Sequence, residues 1–134
     1  MEQHQPRSNC PVSFLLDILG DRWTLLVIRD MVFDRKRHFR KFLASDEGIA
    51  TNILTSRLRL LEVVDIICRR TDQDNSRQVI YTLTEEGLDL VPVLVDLIVW
   101  GGKYGAAEIY HEFLQRVKRA RRVDCRGASA GRSN

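Results

Sequence analysis

The apolar residues of this 134-residue chain change their period at Asp65, and that switch restricts the fold more than any other feature of the sequence. Before it, hydrophobic side chains recur at helical spacing in several consecutive segments. After it, IICRRT and RQVIYTL, separated by DQDNS, are rich in β-branched residues and enclose a polar turn. This order predicts a group of helices followed by one β-hairpin, after which helical spacing resumes. Hydrophobic residues at 44% and charged residues at 29% are sufficient for a packed core, and the length suits a single domain.

The helices have recognisable ends. Pro11 suits a first turn, Phe14, Leu15, Ile18 and Leu19 follow at helical spacing, and Gly20 stops the segment. Asp21 is placed to cap a second helix, RWTLLVIRDMVF, which is apolar around most of its circumference and is expected at the centre of the core. HFRKFLAS forms a short third helix, and Asp46, Glu47 and Gly48 form a turn into a fourth. Beyond the hairpin, Thr84 followed by Glu85 and Glu86 marks another helix start. Pro92 within LDLVPVLVDLIVW predicts a bend or a late true start. Gly101 and Gly102 are expected to interrupt this helix before a last amphipathic one, carrying Ala106, Ile109, Tyr110, Phe113, Leu114 and Val117, with a basic end. Residues 1–9 read as a flexible N-terminus, residues 10–122 as the folded domain and residues 123–134 as a disordered tail.

The fourth helix, NILTSRLRLLE, carries the chemistry. At about 100° per residue, Thr51, Asn52, Thr55, Ser56 and Arg59 share an arc of about 140°, opposite Ile53, Leu54, Leu58, Leu60 and Leu61. A solvated face would ordinarily be rich in Lys and Glu. Short amide and hydroxyl side chains instead allow close approach, and together with Arg they are the types that bond phosphates and base edges in a major groove. Arg57 falls in the apolar arc and reads as structural, its stem in the core and its guanidinium paired with a carboxylate. A short helix, a turn, this helix and then a hairpin bearing Arg69, Arg70 and Arg77 is the order of a winged helix-turn-helix.

Other chemistries find little support. The net charge is only +3, but basic residues cluster in RKRHFRK, at Arg69 and Arg70, and in RVKRARR. Cys10, Cys68 and Cys125 have no C-x-x-C spacing and the three histidines are scattered, so neither a metal site nor a cofactor is expected. There are no paired carboxylates at suggestive spacing, no Gly-rich phosphate loop and no Cys/His combination, which argues against an enzyme, including a thiol-dependent one using Cys10. No apolar run reaches the roughly 18 residues of a membrane span and the N-terminus lacks a signal-type apolar region, so a cytoplasmic location is expected. The competing reading is a winged-helix module that binds protein rather than DNA.

CPV near the start, LDILGDRWTLLVIRDM, HFRKFLAS, GIATNILTSRLRLLE, and YTLTEEG followed by VPVLVDLIVWG together resemble the HxlR family of bacterial winged-helix transcription regulators, over about Cys10 to Tyr104. The resemblance implies a mainly α fold with a small β-hairpin wing, and a homodimer joined by its N- and C-terminal helices that binds double-stranded operator DNA with two recognition helices and two wings. It places Thr51, Asn52, Thr55, Ser56 and Arg59 on the DNA-facing helix and Arg69, Arg70 and Arg77 on the wing. Members of the family respond to oxidants, electrophiles or small metabolites, some through the cysteine that matches Cys10. Here Cys10 stands at a helix start, where free N–H groups and the positive end of the helix dipole favour a thiolate, and Arg7 is placed to add to the effect. Two departures stand out. The family's glycine after the recognition helix is replaced by Asp65, which must take up a left-handed conformation or shift the turn. The hairpin turn carries Asp72 and Asp74, which oppose deep insertion between phosphates.

Overall fold

The computed structural model describes residues 7–105, 111–115 and 118. The elements in chain order are α1 (Pro11–Leu19), α2 (Thr24–Phe33), α3 (Phe39–Leu43), α4 (Thr51–Val63), β1 (Ile67–Thr71), β2 (Val79–Leu83), α5 (Glu85–Asp89) and α6 (Val91–Tyr104). Residues 111–115 are also helical. The expected last helix otherwise falls largely outside the described residues, as do its basic end beyond Lys118, the tail and Cys125. The chain divides into two compact units, Met1–Val91 and Pro92–Asn134.

The first unit is a winged helix. Ile28 of α2, Phe42 of α3, Leu54 and Leu61 of α4 and Ile67 of β1 are fully buried together with Thr24, so every element of the unit's centre contributes to one core. Each large apolar side chain removed from water in this way stabilises by about 1.5–3 kcal/mol. Asp21 fulfils its capping role: its Oδ2 accepts the N–H groups of Trp23 at 2.9 Å and Thr24 at 3.1 Å. One charged residue, Asp30, is also buried, and it is compensated by Arg29 at 2.9 Å and Lys36 at 3.1 Å. Arg29 in turn reaches Glu47 at 3.1 Å, tying the turn before α4 to α2. Burial works against the Arg29 charge, but its bonds to Asp30 and Glu47 prevail and raise its pKa above the ordinary value.

The hairpin β1–β2 is antiparallel with Ile67 opposite Leu83, Arg69 opposite Tyr81 and Thr71 opposite Val79. A third segment joins it without forming a full strand, because the Tyr81 N–H donates to the Arg37 carbonyl at 2.9 Å. Tyr81 also meets Phe42 edge to face, ring centroids 6.4 Å apart, which seats the wing on α3. Thr84 caps α5 by accepting the Gly87 N–H at 3.1 Å. Gly87 is required by close approach: a Cβ there would stand 2.2 Å from the Ile66 carbonyl oxygen.

In the second unit, α6 begins at Val91, so Pro92 sits in its first turn and the late-start alternative is the one realised. Gly101 and Gly102 do not interrupt the helix, which continues through both to Tyr104. Each costs about 1 kcal/mol relative to Ala in a helix interior. Lying in the last turn, they end the helix only after Gly105 N–H has closed on the Gly101 carbonyl at 2.8 Å. Val93, Leu97, Trp100 and Tyr104 form an exposed stripe at spacings of four, three and four along α6.

Candidate nucleic-acid interface

α3, the turn through Gly48 and α4 form the helix-turn-helix. Gly48 adopts φ 70°, a left-handed conformation available to glycine in the turn between α3 and α4. α4 then anchors itself through Leu54, Leu58 and Leu61, all at most 2% exposed. Thr51, Asn52, Thr55, Ser56 and Arg59 are all exposed on the opposite face, so the arc read from the sequence is one continuous outward surface. Thr55 donates its hydroxyl to the Thr51 carbonyl at 2.8 Å, which leaves that oxygen only as an acceptor toward anything approaching the helix.

Polar contacts fix α4 at its middle and at its C-terminal end. Arg57 Nε lies 3.5 Å from Asp21 Oδ2, so the structural arginine meets the carboxylate that starts α2. Burial pushes the Asp21 pKa up, but the Thr24 hydroxyl, the Trp23 and Thr24 N–H groups and the Arg57 charge together hold it below the ordinary carboxylate value. At the C-terminal end Asp65 has φ 61°, the left-handed conformation anticipated for it. Its N–H donates to Glu62 at 3.1 Å and that of Ile66 donates to Leu61 at 2.9 Å, the paired bonds of a Schellman ending. The turn therefore keeps its place with Asp where glycine is ordinarily found.

The wing arginines do not act as one group. Successive residues of a strand point to opposite faces, so Arg69 lies on the face of buried Ile67 and of Tyr81, while Arg70 shares the other face with Cys68. Both are exposed, and so is Arg77 at the end of the connecting loop. Asp72 is not at the tip. It closes the root of the loop, accepting the Asp74 N–H at 2.9 Å and meeting His38 Nε2 at 3.3 Å. The Asp74 N–H, ahead of the His38 contact, lowers the Asp72 pKa below its ordinary value. Asp74 alone remains as an outward acid on the loop, which is less repulsive to a polyanion than the sequence suggests.

Sequence reasoning missed a cleft where His38, Phe39 and Arg40 face Arg77, Val79 and Tyr81. The basic run RKRHFRK was its only visible signal, since the two halves lie about forty residues apart.

Cys10 is an exposed free thiol at the N-cap position of α1, followed by Pro11. Its N–H donates to the Ser8 hydroxyl at 3.3 Å and its carbonyl accepts from Phe14 at 3.1 Å. Arg7 does not turn toward it: the guanidinium pairs with Asp17 at 2.6 Å. No helix among the described residues is long and apolar enough to cross a membrane.

These features agree with what the chain is similar to. The HTH-type transcriptional regulator YybR of Bacillus subtilis is 34% identical over 95 residues, 71% of this chain and 75% of the relative. Rv3095 of Mycobacterium tuberculosis, an HTH-type transcriptional regulator, is 38% identical over 89 residues, which are 66% of this chain but only 55% of that longer protein, so the chain spans about half its length. Among solved structures, the oxidised form of the redox regulator HypR superposes with a TM-score of 0.65 at 33% identity, covering 72% of this chain and 99% of HypR. Residues 18–109 match the model of the HxlR-like helix-turn-helix. The chain is a member of the HxlR family of winged helix-turn-helix transcriptional regulators.

Proposed function

We propose that this chain is a sequence-specific operator-binding regulator that works as a homodimer in the cytoplasm, without catalysis, and that residues 10–122 form its functional domain. The outward arc of Thr51, Asn52, Thr55, Ser56 and Arg59 carries the reading, because it offers donors and acceptors without bulk on a helix held at its middle and at its C-terminal end. Arg69, Arg70 and Arg77 supply the wing's positive charge for the phosphate backbone. Exposed Val12 and Leu16 on α1, and separately the stripe on α6, supply apolar surface for a second copy.

Cys10 is the candidate through which an oxidant or electrophile acts, given its exposure at the start of α1. The similarity to HypR, a redox regulator known in reduced and oxidised forms, supports this assignment. The test is a titration of the chain's own upstream intergenic DNA with and without diamide, using wild type and Cys10→Ser. Saturable binding of one dimer per site, lost on oxidation in wild type only, is the expected result. Equal affinity for that DNA and for random duplex would remove the operator reading, and equal oxidant responses in both proteins would remove Cys10 from it. Binding to duplex DNA that does not weaken with salt would favour a protein-interaction module instead.

A further inference from the structure

The open cleft between α3 and β2 has a volume of about 320 Å³, at the lower end of the range of small-molecule sites and large enough for a single substituted ring. One wall is apolar: Phe39, Val79 and the ring of Tyr81, itself held in place by Phe42 and by its N–H bond to Arg37. Its rim is cationic. Arg40 and Arg77 are both exposed, and among the described residues neither guanidinium has a carboxylate partner. Asp72, bonded to His38 of the cleft lining, also accepts the Asp74 N–H. An apolar wall with unneutralised guanidinium groups at its mouth is complementary to a flat apolar body that ends in a negative charge.

We infer that this cleft binds a small aromatic carboxylate, its ring against Phe39, Val79 and Tyr81 and its carboxylate on Arg40 and Arg77. The cleft is half open, so affinity for a single-ring acid is of about millimolar order. Its position gives occupancy a consequence, one that rests on the DNA-binding reading above. Arg77 belongs both to the cleft and to the wing's positive surface, and a guanidinium paired with a bound carboxylate no longer neutralises a phosphate. Ligand and DNA therefore oppose each other, and by linkage each weakens the other by the same factor.

The test begins on the free protein, so that it does not depend on DNA binding. Benzoate is titrated into isotopically labelled full-length chain up to about 20 mM, following amide shifts, with benzamide and inorganic phosphate as separate arms. Saturable shifts at Phe39, Val79 and Tyr81 with benzoate, absent with benzamide and phosphate, are expected. Arg40→Gln and Arg77→Gln, surface changes checked for an unaltered melting temperature, should each weaken benzoate about tenfold or more. Absence of saturation, or unchanged binding in both variants, would overturn the site. Equal shifts with phosphate and benzoate would also overturn it, by showing that the cleft takes any anion and therefore fits a DNA phosphate. Saturating benzoate should then weaken duplex binding in wild type but not in Arg77→Gln. If benzoate binds and duplex affinity is unmoved, the coupling fails while the ligand site stands.

Discussion

Arg57 Nε stands 3.5 Å from Asp21 Oδ2, joining the face of α4 that points into the protein to the residue that caps α2. Both side chains are less than one third exposed, and the Arg57 nitrogen is buried without a hydrogen bond of its own, so the charge of Asp21 is its main compensation. The contact therefore orients α4 from behind, while the opposite arc remains open.

Arg57→Ala is accordingly expected to destabilise the fold. Because the pair is partly solvated, the cost should be about 1 kcal/mol, below the several kcal/mol of a fully buried pair. That lowers the melting temperature by roughly 4 °C in a domain of this size. Arg59→Ala, on the exposed arc, should leave it within about a degree of wild type. Thermal unfolding followed by circular dichroism decides the matter. Equal melting temperatures for the two variants would show that Arg57 has no structural role.

The depressed pKa of Asp21, owed to the Thr24 hydroxyl and the Trp23 and Thr24 N–H groups before the Arg57 charge, gives this carboxylate a pH signature. A carboxylate whose folded pKa lies below its ordinary value contributes stability that is present above about pH 4, and this is lost as pH falls through the folded value. Asp21→Asn keeps an oxygen to accept the Trp23 and Thr24 N–H groups but removes the charge and the second oxygen, which accepts the Thr24 hydroxyl. The variant should thus be less stable than wild type at pH 7, and the gap should be narrower at pH 3. Urea midpoints at both pH values would measure this, and a gap that persists undiminished in acid would exclude the charge as its source.

Asp65 at φ 61° pays a conformational cost that glycine would not, and its carboxylate also sits at the negative end of the α4 dipole. Asp65→Gly should therefore stabilise by about 1 kcal/mol while preserving the bonds from residues 65 and 66 to Glu62 and Leu61. A higher urea midpoint with an unchanged slope is the expected outcome. A lower midpoint would mean that the aspartate side chain has a stabilising partner of its own.

Much of this site was legible because its determinants are local. The arc on α4, the inward Arg57 and the left-handed Asp65 follow from helix periodicity and from residue-level backbone preferences, which neighbouring elements leave intact. What escaped the sequence depends on pairing across the chain. The position of Asp72 follows from His38, which is 34 residues away. Arg7 faces Asp17 instead of Cys10, pairing with a carboxylate ten residues along the chain that its immediate sequence neighbourhood does not show. Gly101 and Gly102 mislead for another reason: propensity is a weak prior, and two glycines in a final turn shorten a helix without preventing it.

The arrangement of the arginines makes the last prediction specific. On α4, Arg59→Ala and Asn52→Ala should reduce discrimination between operator and random duplex by about 1–3 kcal/mol each, if each reads a base edge. On the wing the strand alternation forbids equivalent roles. Arg69 shares its face with Ile67 and Tyr81, whereas Arg70 points the other way, so a duplex laid along one face of the hairpin meets one of them only. One of Arg69→Ala and Arg70→Ala should weaken operator and random DNA alike and reduce the salt slope by about one, and the other should do neither. Arg70, on the face away from the core, is the expected contact. Fluorescence anisotropy at several salt concentrations distinguishes the cases. Equal losses from both variants would mean that DNA wraps the hairpin edge, and no loss from either would remove the strand from the interface and leave Arg77 as its remaining cation.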